Sequence, residues 1–94
     1  MKTGQELARR VHHILIEDWD PIGVKDIPQA RDEYDSFVPS IISLLNTDVE
    51  EEQLFEILMM TATENMGTPR TDALIESSRT AAQKLMTLKL LKEN

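Results

Sequence analysis

Residues 48–66 read DVEEEQLFEILMMTATENM. Leu54, Phe55, Ile57, Leu58, Met59, Met60 and Ala62 recur at helical spacing and leave only a narrow polar stripe of Glu52, Glu56 and Thr63. A helix this broadly apolar is expected to touch several neighbours and to stand at the centre of an all-α fold. Thr47 with Glu50, or Asp48 with Glu51, has the spacing of a cap at its start, and Glu50, Glu51 and Glu52 suit the positive end of the helix dipole. Gly67 is a natural stop after Asn65 or Met66.

The same periodicity runs outward in both directions. Downstream, Leu74, Ser78, Ala81, Leu85 and Leu88 keep a 4-3-4-3 spacing, widened by Ile75, Ala82 and Leu91. This helix begins at Thr68-Pro69 or under a Thr71 cap and ends near Lys92. Lys84, Lys89 and Lys92 lie in its second half, where cations are favoured. Upstream, Thr3 and Glu6 are spaced as a capping box, and Leu7, Val11, Ile14 and Leu15 predict a helix over residues 4–18, with Arg9, Arg10 and Glu17 opposite. Tyr34, Val38, Ile41, Ile42 and Leu45 predict another, from residue 31 or 35 to Leu45. Pro39 fits its first turn if Asp35 is the N-cap, and bends the helix if it starts earlier. Four helices with short connections imply a compact bundle or array, and no stretch alternates as a strand would.

Composition agrees. A chain of 94 residues is expected to form one helical domain over 1–94. It buries roughly 64% of its extended-chain surface, enough for one modest core and not for a deep cleft between domains. One Trp, one Tyr and two Phe make that core aliphatic. The absence of cysteine excludes disulfides, thiolate chemistry and Cys-ligated metals. A formal charge of -7 argues against nonspecific nucleic-acid or anionic-membrane binding. No apolar run approaches the ~18 residues of a membrane span, no signal-like stretch is visible, and the cytoplasm is the expected location. The acidity is local. Residues 48–68 hold Asp48, Glu50, Glu51, Glu52, Glu56 and Glu64 with no Lys or Arg, whereas 69–94 are net basic. Either the last two helices pack with complementary surfaces, or the acidic face meets a cationic partner.

The stretch WDPIGVKDIPQARDEYD, residues 19–35, separates the first two helices. Pro21 biases Asp20 away from the helical region, and Gly23 offers a turn position. Trp19, Ile22, Val24 and Ile27 are expected to cover one end of the core. Asp20 or Asp35 ties down loop N–H groups or caps the second helix. Tyr34 lays its ring on the core and its hydroxyl among polar loop groups.

Chemistry has few candidates. Asp18, Asp20, Asp32, Glu33 and Asp35, with His12 and His13 close in sequence, form the densest polar cluster. Carboxylates suit hard cations, and His with carboxylate suits transition metals. The spacing matches no such site, and adjacent histidines on a helix point about 100° apart. No metal or cofactor is therefore expected, and helix capping and solvation are the plainer roles. A small metal-dependent or acid–base enzyme built on His13, Asp20, Asp32 and Asp35 is the alternative. No serine has an activating context, and phosphate-binding glycine loops are absent. Met59 and Met60 suggest a seam for another protein or a second copy of this chain, or simply core.

The combination Trp19-Asp20-Pro21-Ile22-Gly23-Val24, Asp32-Glu33-Tyr34-Asp35, Ile41-x-x-Leu44-Leu45 and Met66-Gly67 resembles a family of small bacterial proteins of the YugE-like type. The resemblance covers most of the chain. Its pieces are individually common and distinctive together, and Phe37 stands where many members carry Tyr. It implies about four helices and no assigned activity, so no catalytic residue is carried over. The same segments look, more loosely, like bacterial toxin-immunity proteins. The expected function is a non-enzymatic protein-interaction module, immunity-type in the narrower reading, with Trp19, Asp20, Asp32, Glu33, Tyr34, Asp35, Met59 and Met60 as its interaction or framework residues.

Overall fold

A computed structural model describes residues 4–30 and 32–92. The fold is all-α with four helices, and no strand occurs among the described residues. Helix α1 spans Gly4–Ile14 and widens into a π turn, Leu15–Trp19. Two short 3₁₀ turns, Pro28–Ala30 and Asp35–Phe37, lead into α2, Val38–Leu45. Helix α3 is Glu51–Met60 and also ends in a π turn, Thr61–Asn65. Helix α4 is Asp72–Lys92. Thr3, the expected cap of the first helix, and the side chain of Leu91 lie outside the described residues.

Helix α4, not α3, is the central element: it packs against α1, α2, α3 and the π turn of α1. Ser78, Ala81 and Ala82 are all fully buried along it. Such small side chains let neighbouring helices come close on more than one side. The apolar face of α3 is less deep than its breadth promised. Leu54, Phe55, Leu58, Met59 and Ala62 are buried, but Met60 is 57% exposed. The expected α4 stripe of Leu74, Ser78, Ala81, Leu85 and Leu88 is buried throughout, as are Leu7, Val11, Ile14 and Leu15 of α1.

Both π turns are closed by a bond reaching back five residues. The Asp20 N–H donates to Leu15 O at 2.8 Å, and the Met66 N–H to Thr61 O at 3.1 Å. The first of them explains a burial that simple periodicity misses. On an ideal helix Ile16 would point roughly 160° away from the centre of the α1 apolar face. It is nevertheless fully buried, because the widened turn alters the side-chain register and lies against α4.

The helix ends decide between several expectations. Thr71 Oγ1 accepts from the Leu74 N–H at 3.1 Å, so α4 starts at its Thr71 cap rather than at Thr68-Pro69. Neither expected cap pair serves α3. Gln53 Oε1 accepts from the Glu50 N–H at 2.8 Å, while the Thr47 hydroxyl donates to Leu44 O. Gly67 ends the α3 segment at φ +67°, and the Thr68 N–H returns to Ala62 O at 2.9 Å. Pro39 lies in the first turn of α2 and removes no bond from it. Asp35 is not its cap: no side-chain cap bond is made there, and Asp35 instead opens a 3₁₀ turn.

Charge complementarity between α3 and α4 is partial. Arg79 reaches Glu52 at 3.1 Å and Glu51 at 3.6 Å, with its guanidinium 3.9 Å from the centre of the Phe55 ring. Asp48, Glu50, Glu56 and Glu64 remain exposed.

Candidate functional site

The 19–35 segment is organised by one carboxylate. The π turn ends with Asp20 in the left-handed region, at φ 36° and ψ 60°, a conformation Asp adopts more readily than most residues. Its Oδ1 accepts from the Val24 N–H at 2.7 Å and from the Tyr34 hydroxyl at 2.8 Å, and its Oδ2 from the Lys25 N–H at 3.1 Å. The Tyr34 oxygen in turn accepts from the Ile22 N–H at 3.2 Å. The WDPIGV and DEYD segments are thus two halves of one knot. Beneath it, the Trp19 and Tyr34 rings meet at 5.5 Å and 50°, and the Trp19 indole N–H donates to Ser78 Oγ at 3.1 Å. Lys84 Nζ holds Asp18 at 2.9 Å, fastening the π turn to α4 a second time.

The knot determines what the loop shows to solvent. Trp19 and Val24 are buried as expected, but Ile22 is 42% and Ile27 47% exposed, so these two do not cover the core. Asp26, Asp32 and Glu33 of the same segment are exposed as well. Asp35 is also exposed and faces His12 Nε2 at 3.2 Å. On α3 the methionine pair divides: Met59 is core at 1% exposure, and only Met60 faces solvent.

Among the described residues, His13, Asp35 and Asp20 of the acid–base alternative line three different grooves. His13 lines a groove of about 370 Å³ with Arg9, Arg10 and Leu88. Asp35 lines another, with His12 and Val38. Asp20 borders a third, with Trp19 and Thr68, whose buried hydroxyl has no protein partner. Asp20 already accepts from two backbone N–H groups and a phenol. Among the described residues no group of three or more His, Asp or Glu is placed to hold a metal ion. No described helix is long and apolar enough to cross a membrane.

Tyr34 offers a test of the knot. Burial pushes its phenol well above the ordinary value near 10; the Ile22 N–H pulls the other way, and the bond and charge of Asp20, with the charge of Glu33, push it further up. A raised acid binds its proton more tightly in the folded state. Stability should be unaffected by this group below the unfolded value and fall above pH ~10, by up to about 1.4 kcal/mol per pH unit. Because the chain has a single tyrosine, tyrosinate absorbance should appear together with the loss of helical circular dichroism. Tyr34→Phe should remove that slope. Tyrosinate formed while the helices persist would contradict this placement.

Sequence reasoning missed three residues of this site. Apolarity alone points Ile22 and Ile27 inward. Periodicity alone makes Ser78 one more member of the α4 stripe, and the signal that singles it out is the lone tryptophan, which needs an acceptor once buried. No family model matches the chain, and neither does any curated protein or solved structure.

Proposed function

We propose that the chain is a non-enzymatic protein-interaction module, of the immunity type that masks another protein, and that it binds through the 20–35 loop. The observation that carries this reading is that two of the three large apolar side chains exposed among the described residues, Ile22 and Ile27, sit on one loop locked from beneath by Asp20. A loop held in one conformation presents apolar side chains without the ordering cost that a flexible one incurs on binding. Two of the four segments carrying the YugE-like resemblance, WDPIGV and DEYD, contribute to this loop. A homodimer seam on α3 has less in its favour, since it would rest on Met60 without Met59.

Site-specific photo-crosslinking in the source cell tests the reading. A benzophenone side chain at Ile27 should yield a discrete adduct with another protein. The same group at the exposed Gln83 of α4 should not. The reading fails if Ile27 gives no adduct, or if both positions give the same ones.

A further inference from the structure

Resting on that loop reading, we infer that the surface it meets is a basic, amphipathic one: lysine or arginine side chains bracketing an apolar patch on a partner protein. The loop carries two exposed isoleucines and several exposed carboxylates. Ile22 is held beside the 32–35 turn by its N–H bond to Tyr34, and Asp26 adjoins Ile27 in the chain. Residues 20–35 contain Asp20, Asp26, Asp32, Glu33 and Asp35 against Lys25 and Arg31. Lys25 lies 3.9 Å from Glu17, which offsets its charge locally. Asp26, Asp32 and Glu33 stay exposed and make the local field negative, and the chain's net -7 reinforces it.

Charge chooses among the occupants that two exposed isoleucines would otherwise permit. A second copy docking by the same loop across a two-fold axis would set these carboxylates against their own equivalents, a repulsive arrangement. Nucleic acid and anionic lipid are repelled in the same way. A protein bearing cations around an apolar patch gains burial of Ile22 and Ile27 together with charge complementarity, which mainly speeds encounter and weakens as salt rises.

The probe is a synthetic helical peptide of leucine and lysine, compared with its leucine and glutamate counterpart and titrated into the isotope-labelled chain. The lysine peptide should move backbone amide signals of residues 20–35, with affinity falling roughly tenfold from low to physiological salt. Asp26→Asn with Asp32→Asn and Glu33→Gln should weaken it by about tenfold. Ile22→Ser with Ile27→Ser should abolish it. All five side chains are exposed, so both variants should keep the helical spectrum and the unperturbed signals of α4. The inference is overturned if the glutamate peptide binds equally well, if the lysine peptide moves only the acidic face of α3, or if the loop signals shift with protein concentration alone. A failure here with an Ile27 adduct still formed in cells would remove the charge inference and leave the loop reading intact. Loss of the adduct would remove the loop reading itself.

Discussion

Trp19→Ala should destabilise the fold by about 4 kcal/mol, a large part of the 5–15 kcal/mol that holds a small domain together. Trp19 is 2% exposed, at the point where the π turn of α1 meets α4. Truncation removes its apolar body, its contact with the Tyr34 ring and its bond to Ser78. The remaining hole has little means of closing, because α4 and the Asp20 knot fix its walls. Ser78→Ala isolates the polar share. It changes almost no volume but leaves a buried indole N–H without its acceptor, and should cost about 1–3 kcal/mol. Trp19→Phe should cost less than Trp19→Ala, since an aromatic ring remains to fill most of the hole and to meet Tyr34. Urea unfolding followed by circular dichroism measures all three, whereas tryptophan fluorescence would be lost with the residue. A Trp19→Ala variant within 1 kcal/mol of the parent would mean that the wall of this site is far softer than drawn.

The helices that were legible from sequence are those whose hydrophobic period is uninterrupted. The 4-3-4-3 run from Leu74 to Leu88 needs nothing beyond 3.6 residues per turn, and every member of it is buried. Ile16 shows where that rule stops. A π turn cannot be read from side-chain spacing, and it brings inward a residue that an ideal helix points outward. Caps were legible in part. Thr71 of α4 was one of two alternatives, but for α3 the expected pairs were Thr47 with Glu50 and Asp48 with Glu51, whereas Glu50 pairs with Gln53, a choice that depends on how the chain leaves α2, a tertiary matter. The centrality expected of α3 failed for a related reason. Breadth of an apolar face measures how much of a helix resists water, while centrality depends on how closely other helices approach, and the fully buried Ser78, Ala81 and Ala82 settle that for α4.

The site divides in the same manner. Trp19 closing α1 and Tyr34 with its ring on the core and its hydroxyl among polar loop groups follow from side-chain chemistry and local breakers. That Asp20 ties the loop followed only as one of two choices, and Asp35 was the other. What Ile22 and Ile27 face could not follow, because hydrophobicity says what a side chain prefers and not where a pinned backbone leaves it. Burial of those two was the natural expectation. Their exposure, set by hydrogen bonds to Asp20 and Tyr34, is the fact on which a binding role for the loop depends.

That dependence makes Asp20 the residue where stability and proposed function can be separated. Asp20→Ala should cost about 3 kcal/mol: it deletes an acceptor for Val24, Lys25 and Tyr34, and it places a β-carbon without a compensating polar group in the left-handed region. The figure stays below three full charged bonds because Asp20 is only half-buried, so water can replace part of what is lost. Asp20→Gly relieves the backbone and keeps only the hydrogen-bond loss, and should cost about 2 kcal/mol. Asp20→Asn tolerates the same backbone and retains one oxygen, so about 1 kcal/mol is expected. The order Ala, Gly, Asn is the structural prediction, read by urea unfolding, with faster exchange of the Val24 and Lys25 amides in all three. Equal losses for the three variants would show that neither the left-handed backbone nor the acceptor matters at this position. The functional consequence acts through the loop rather than through overall stability. Asp20→Gly should leave the helices folded while releasing Ile22 and Ile27 from a fixed display, so that crosslinking from Ile27 weakens because ordering the loop now opposes binding. If the adduct instead forms as readily from a loop whose amides exchange freely, the partner recognises the side chains alone and the knot is only a fastening of the fold.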